Sequence, residues 1–190
     1  MIFVETSLPG AFLVEPEPLA DNRGYFARTW CQREFAARGL TAKVAQCNIS
    51  FSAKKGTLRG MHFQAPPYQE AKLIRCVAGS IYDVIIDLRR ASPDFGRHTA
   101  VILRARESRS LFVPEGFAHG FQTLENETEV LYQMSEYYVR ESARGVRWDD
   151  PAFGIEWPAD TRIISEKDRG YPDFTAENYP DLFGRVPVRR

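Results

Sequence analysis

The 190-residue chain has three histidines. One of them, His62, stands in the run LRGMHFQ, with Arg59 shortly before it and Lys72 after it. An imidazole titrates near neutral pH, so it is the side chain best suited to take and return a proton there. Between Met61 and Phe63 it reads either as a core ring bonded to a carbonyl or as a base in a dry pocket, and this stretch alone does not choose. His119 follows the Pro114–Gly116 turn in FVPEGFAHGF. Tyr132 alternates with Val130 and Met134, which turns its ring toward an apolar interior. A buried phenol wants a partner, so Tyr132 is either a hydrogen-bonded core residue or a proton donor across a cavity. Asp168, in ISEKD, would fix the tautomer and raise the basicity of an imidazole if it met one, and otherwise serves a surface ion pair. A metal site is a poor fit. His62-Phe63-Gln64 offers no His-x-His pair, and His98, in FGRHTA, reads as solvated. Cys31, Cys47 and Cys76 fit no zinc spacing and read as reduced, unreactive thiols.

The elements that must position these residues are mostly strands. A chain of this length fits one domain, residues 1–190, with enough material for a core. Lys plus Arg (25) balances Asp plus Glu (25), so nothing in the charge suggests a nucleic-acid or membrane partner. The N-terminal run is broken by Glu5, Pro9, Glu15 and Pro16 and resembles no signal peptide. No apolar stretch approaches the ~20 residues that span a bilayer. The expectation is a cytoplasmic protein. Helical periodicity is clear only in WCQREFAARGL, where Trp30, Phe35 and Ala36 share a face and Gly39 ends the helix. KLIRCVA and IYDVIIDL flank Gly79-Ser80, which suits a tight hairpin turn. In the second arm Tyr82, Val84, Ile86 and Leu88 form one apolar face, while Asp83 and Asp87 alternate with Ile81 and Ile85. HTAVILRA, SLFVP, HGFQTLE and TEVLYQMSEYY continue the series, which argues an all-β sandwich or barrel. If LRGMHFQ is a strand, His62 shares a face with Gly60 and Gln64, and Arg59, Met61 and Phe63 take the other. Residues 149–190 lack strand periodicity and read as a wrap of turns and short helices.

Two resemblances follow from these motifs. PEGFAHGF resembles the second conserved stretch of cupins, a Pro-x-Gly-x-x-His segment in small β-barrels. DNRGYFARTW, the run from QCNISFSAKKGTLRGMHFQ to VIIDLR, SPDFG, FVPEGFAHGF, YQMSEYY, GVRWDDPAFGIEWP and ISEKD together resemble the dTDP-4-dehydrorhamnose 3,5-epimerases, over nearly the whole chain. The resemblance implies a cupin-type double-stranded β-helix (a jelly-roll barrel), a strand-swapped homodimer, no metal and no cofactor. It implies a nucleotide-diphosphate sugar substrate in deoxysugar and polysaccharide biosynthesis. It makes His62 the base, Asp168 its paired carboxylate and Tyr132 the proton donor on the opposite face. Lys72, Arg59 and His119 line the sugar site, with Lys72 placed to meet a growing enolate oxygen. Gln46, Asn48 and Lys167 become substrate contacts, Arg23 a diphosphate-side contact, and Phe26 and Tyr138 aromatics near the nucleotide. Arg28 and Ala143 stand where that family commonly has Glu on the nucleotide side. The loss of two acceptors keeps alternatives open: a single-carbon epimerase acting on a CDP- or GDP-linked sugar, or a catalytically silent cupin that binds a nucleotide sugar.

Overall fold

Between Gln46 and Met134 the apolar residues recur with a period of two, and there the chain forms long strands. The computed structural model describes residues 1–160 and 163–179. In chain order the elements are β1 (Ile2–Glu5), β2 (Phe12–Glu15), β3 (Leu19–Asp21), β4 (Gly24–Phe26), α1 (Gln32–Ala36), β5 (Gln46–Ser52), β6 (Leu58–Gln64), β7 (Lys72–Ala78), β8 (Ser80–Asp87), β9 (His98–Arg104), β10 (Ser110–Val113), β11 (Phe117–Thr123), β12 (Thr128–Met134), β13 (Ala143–Gly145) and α2 (Glu166–Arg169). A six-stranded sheet in the order β1-β2-β10-β7-β12-β5 faces a five-stranded sheet in the order β13-β6-β11-β8-β9. The strands β3 and β4 form a separate two-stranded ribbon.

The expected hairpin at Gly79-Ser80 does not form. β7 is hydrogen-bonded between β10 and β12, and β8 between β11 and β9, so the two arms belong to opposite sheets. Gly79 is the corner where the chain crosses from one to the other. Its φ of +73° and the 2.5 Å that a Cβ would leave to Thr128 Oγ1 both require glycine. β9 and β10, and β11 and β12, are likewise split between the sheets. This repeated crossing makes the fold a cupin-type double-stranded β-helix, as the sequence resemblance implied. Local turn chemistry could not show it, because partner choice is decided by what fills the space between the sheets.

That space holds Ile74, Cys76, Ile81, Ile85, Leu111, Phe121 and Val130, all buried. Each of the Ile, Leu, Val and Phe side chains contributes about 1.5–3 kcal/mol on leaving water. The face of Tyr82, Val84, Ile86 and Leu88 is the outer one. It packs beneath the C-terminal wrap, against Phe153, Trp157 and Tyr179, so β8 is buried on both sides. The Trp157 indole N–H donates to the Trp148 carbonyl at 2.9 Å, which ties the wrap to itself. Residues 149–160 and 163–179 form turns and the short α2; the wrap's last part, 180–190, lies outside the described residues. α1 seats Phe35 on Val14, Leu73 and Phe112 at the outside of the six-stranded sheet. Gly39 (φ +70°) ends that helical turn and Leu40 N–H returns to the Phe35 carbonyl, while Ala36 stays exposed. Among the described residues no helix is long and apolar enough to cross a membrane.

Candidate active site

A cleft of about 700 Å³ opens between the two sheets. β6 and β11 supply one wall, β12, β5 and the start of β7 the other, and the wrap closes one end. His62 reaches the cleft because β6 carries a bulge. Arg59 is paired with Phe121 and His62 with His119, so three steps on β6 match two on β11. The extra residue is Gly60, at φ +138°, where a Cβ would stand 2.5 Å from the Gly120 Cα. Strict alternation puts Arg59 and His62 on opposite faces. The bulge instead brings both into the cleft and sends Met61 to the outer core.

His62 Nε2 lies 2.7 Å from Asp168 Oδ1. Asp168 is buried on α2, which begins with Ser165 as its cap, the Ser165 Oγ accepting from Asp168 N–H at 3.1 Å. The bulged Gly60 N–H donates to Asp168 Oδ2 at 3.3 Å. Burial by itself would raise the Asp168 pKa. The hydrogen bond and charge of His62, with those from Gly60 and Ser165, outweigh it and hold the carboxyl below its ordinary value. An ionised Asp168 accepts only, so His62 donates from Nε2, and in the neutral ring Nδ1 is the lone pair left to take a proton. Tyr171 backs the ring, with centroids 6.3 Å apart. It fits there because Gly145, directly opposite His62 on β13, has no Cβ; one would come 2.2 Å from the Tyr171 ring. Burial, then the Asp168 charge, push the Tyr171 phenol up to about 12.

Tyr132 enters from the other sheet. Its hydroxyl lies 3.5 Å from Ser50 Oγ. Burial pushes its pKa well above the ordinary value, against the Ser50 contact and the Arg59 charge, with Asp83 adding to the rise. Lys72 Nζ donates to the His62 carbonyl at 3.0 Å and pairs with Glu70 Oε1 at 3.1 Å. An ammonium has three donors, so one is left for a ligand. Arg59 is held by Ser52 Oγ and the Phe51 carbonyl. His119, on β11, is bonded to Asp83.

Of the residues singled out in the sequence, His62, Tyr132, Asp168, Lys72, Asn48, Arg59, His119, Tyr138 and Lys167 line this one cleft. Gln46 is not in its lining; its Oε1 accepts the Tyr138 N–H at 3.0 Å and so positions that aromatic. Arg23 and Phe26 stay outside. Arg23 caps the β3–β4 ribbon through Asp21, and Phe26 is 75% exposed on it. The ribbon is exposed along its length, its Tyr25 hydroxyl lies 3.1 Å from Ser108 Oγ, and neither Arg23 nor Phe26 lines the cleft. Arg28 pairs with Glu34 at 2.9 Å on the surface, and Ala143 lines the cleft. Sequence reasoning passed over Glu70 and Asp83. A carboxylate inside the apolar run of β8 was the available signal for Asp83. Among the described residues no three His, Cys, Asp or Glu side chains converge as a metal would require.

Residues 5–176 match the family model described as dTDP-4-dehydrorhamnose 3,5-epimerase. A protein of that name from Methanothermobacter thermautotrophicus is 46% identical over 172 residues, 89% of this chain and 92% of the relative. The crystal structure of a dTDP-4-dehydrorhamnose 3,5-epimerase from Bacillus anthracis, with TDP and PPi bound, superposes with a TM-score of 0.88 at 43% identity, covering 91% of this chain and 99% of that one. A 3'-monoepimerase from Streptomyces bikiniensis, in complex with dTDP-quinovose, is 33% identical with a TM-score of 0.85, covering 93% of this chain and 90% of that one.

Proposed function

Since the chain belongs to the dTDP-4-dehydrorhamnose 3,5-epimerase family, we propose that it inverts C3 and C5 of a dTDP-4-keto-6-deoxyhexose, with His62 as the base and Tyr132 as the acid. The observation that carries this reading is the pairing of His62 with a buried, ionised Asp168 on one wall of the cleft that Tyr132 enters from the opposite sheet. A proton beside the C4 ketone passes to His62 Nδ1, and the ring's Nε2–H stays on Asp168, which steadies the imidazolium. The electrons move onto the C4 oxygen as an enolate. The free donor of Lys72 meets that oxygen, and its fixed cationic position needs no reorganisation as charge grows there. Tyr132 then delivers its hydroxyl proton to the other face of the carbon. Its raised pKa keeps that proton in place until the enolate takes it. No electrons leave the substrate, so the isomerisation needs no redox partner. Both the family name and the higher identity to 3,5-epimerases favour two inverted carbons over one.

The substrate reading extends to the assembly. A nucleotide diphosphate needs cations and a stacking partner, and in this chain Arg23 and Phe26 lie exposed on the β3–β4 ribbon, outside the cleft lining. The edge strand β5 also exposes Ile49 (63%) and Phe51 (52%) beside the cleft. Both features fit a homodimer in which each ribbon completes the partner's cleft.

Proton NMR in D2O with dTDP-4-keto-6-deoxyglucose tests the reading. Deuterium is expected at C3 and C5. Exchange at one carbon alone would make this a single-carbon epimerase, and binding without exchange at either would leave only a nucleotide-sugar-binding protein. His62→Asn is expected to abolish exchange while dTDP still binds. Tyr132→Phe is expected to retain exchange at the first carbon and lose inversion.

A further inference from the structure

The register of β6 and β11 sets His119 directly opposite His62. Each imidazole is backed by a carboxylate through Nε2: His62 by Asp168 at 2.7 Å and His119 by Asp83 at 2.5 Å. The second pair is the more secluded. The His119 side chain is 4% exposed and that of Asp83 is 0%. Asp83 lies on β8 among Ile81, Val84, Ile85 and Ile86, all fully buried. A carboxylate in such a place costs several kcal/mol unless its oxygens are satisfied. They are not: Asp83 Oδ2 has no partner, although it is sealed from solvent. A group kept for stability alone would be fully bonded or replaced by an apolar side chain.

What Asp83 does hold is one ring. The His119 ring makes no other hydrogen bond to a described residue, it lines the cleft, and it meets Tyr132 edge-on with centroids 6.1 Å apart. We propose that Asp83 is a positioning residue for the epimerisation, which rests on the function argued above: it holds His119 by Nε2–H and so turns Nδ1 to the sugar on the Tyr132 side of the cleft. An unpinned imidazole would flip and present either nitrogen. A pinned one offers a single atom at a fixed place, and a misplacement of about 1 Å costs on the order of 10²-fold in rate. A second effect has the same origin. The Asp83 charge, after burial, is among the causes that raise the Tyr132 pKa, so the carboxylate that aims His119 also helps to keep the acid loaded.

Two measurements decide this. With only three histidines in the chain, the imidazole region of a ¹⁵N-histidine-labelled sample is sparse, and His119→Gln assigns its signals. The native enzyme is expected to show His119 protonated at Nε2. A bare Nε2 would overturn the proposal, and this reading needs no Asp83 variant to fold. The second measurement is a cycle of Asp83→Asn, His119→Gln and both together. Asp83→Asn is expected to lower kcat by roughly 10–100-fold, with dTDP affinity unchanged. The double variant is expected to be no slower than His119→Gln alone. An equal further loss in the double variant would make Asp83 merely structural, and an Asp83→Asn kcat within about twofold of the native value would remove it from the mechanism. Native enzyme without deuterium exchange would refute the epimerase reading and leave the tautomer measurement to report on the Asp83–His119 bond itself.

Discussion

Two buried carboxyls show how single residues were made to ionise inside this fold. Asp168 accepts from His62 and Gly60, and Asp87 accepts from Arg89 and Ser92. Burial works against both, and in both the hydrogen bonds, with the charge of His62 for one and of Arg89 for the other, win and hold each pKa below the ordinary 3.8. The sign follows from linkage. The unfolded chain binds these two protons at a higher pH than the folded one does. The stability they contribute is therefore complete above the unfolded value, near 3.8, and is lost as pH falls through the folded values. Asp87→Asn is expected to lower the melting temperature at neutral pH. Its gap from the native protein should narrow steadily as melts are recorded at lower pH, below that value; a gap independent of pH would mean that Asp87 is not ionised in the fold. His62 was visible in the sequence as a lone imidazole in an apolar run, whereas Asp168 stood out only through the family likeness. Their contact was not visible, because 106 residues separate them.

At the scale of elements the decisive piece is the bulge of β6. Read with a period of two, LRGMHFQ sends Arg59 away from His62. One extra residue at Gly60 reverses that for every residue before it. The bulge is held by backbone contact: a Cβ on Gly60 would meet the Gly120 Cα at 2.5 Å, and one on Gly120 would meet Met61 Sδ at 2.6 Å and the Arg59 carbonyl at 2.8 Å. Gly60→Ala combines that clash with an unfavourable φ, and it is expected to destabilise the protein by about 2 kcal/mol or more. It should also lower kcat in whatever fraction remains folded, because the Gly60 N–H bonded to Asp168 moves with the bulge. Urea denaturation followed by circular dichroism, with activity measured per folded molecule, checks both; a variant of native stability would show that the two strands can part without cost. The glycine was plain in the sequence and suggested a close approach. Which backbone approaches it was set by the pairing of β6 with β11, a contact between distant segments.

For the whole molecule, the question is whether a cleft is complete in one chain. The exposed ribbon carrying Arg23 and Phe26 does not line its own chain's cleft, so the two are expected to serve a second copy. Subunit exchange tests this. His62→Asn is expected to be inactive, and Arg23→Ala combined with Phe26→Ala to bind poorly. If each ribbon serves the partner, mixing the two inactive proteins restores activity, since one cleft of the mixed dimer then has native residues from both chains. If the ribbon serves its own cleft, no mixture recovers activity. The residue types for proton transfer, the all-β class, the helical turn closed by Gly39 and the family likeness were all determined by the sequence itself, because each depends on local periodicity or on motifs that survive as short runs. Tertiary structure alone decided that Gly79 is a corner between sheets, that Gln46 supports Tyr138 rather than lining the cleft, and that Asp83 stands behind His119. Each of those depends on which strand lies beside which. That choice follows from filling the volume between two sheets with side chains distant in sequence, and no local pattern encodes it.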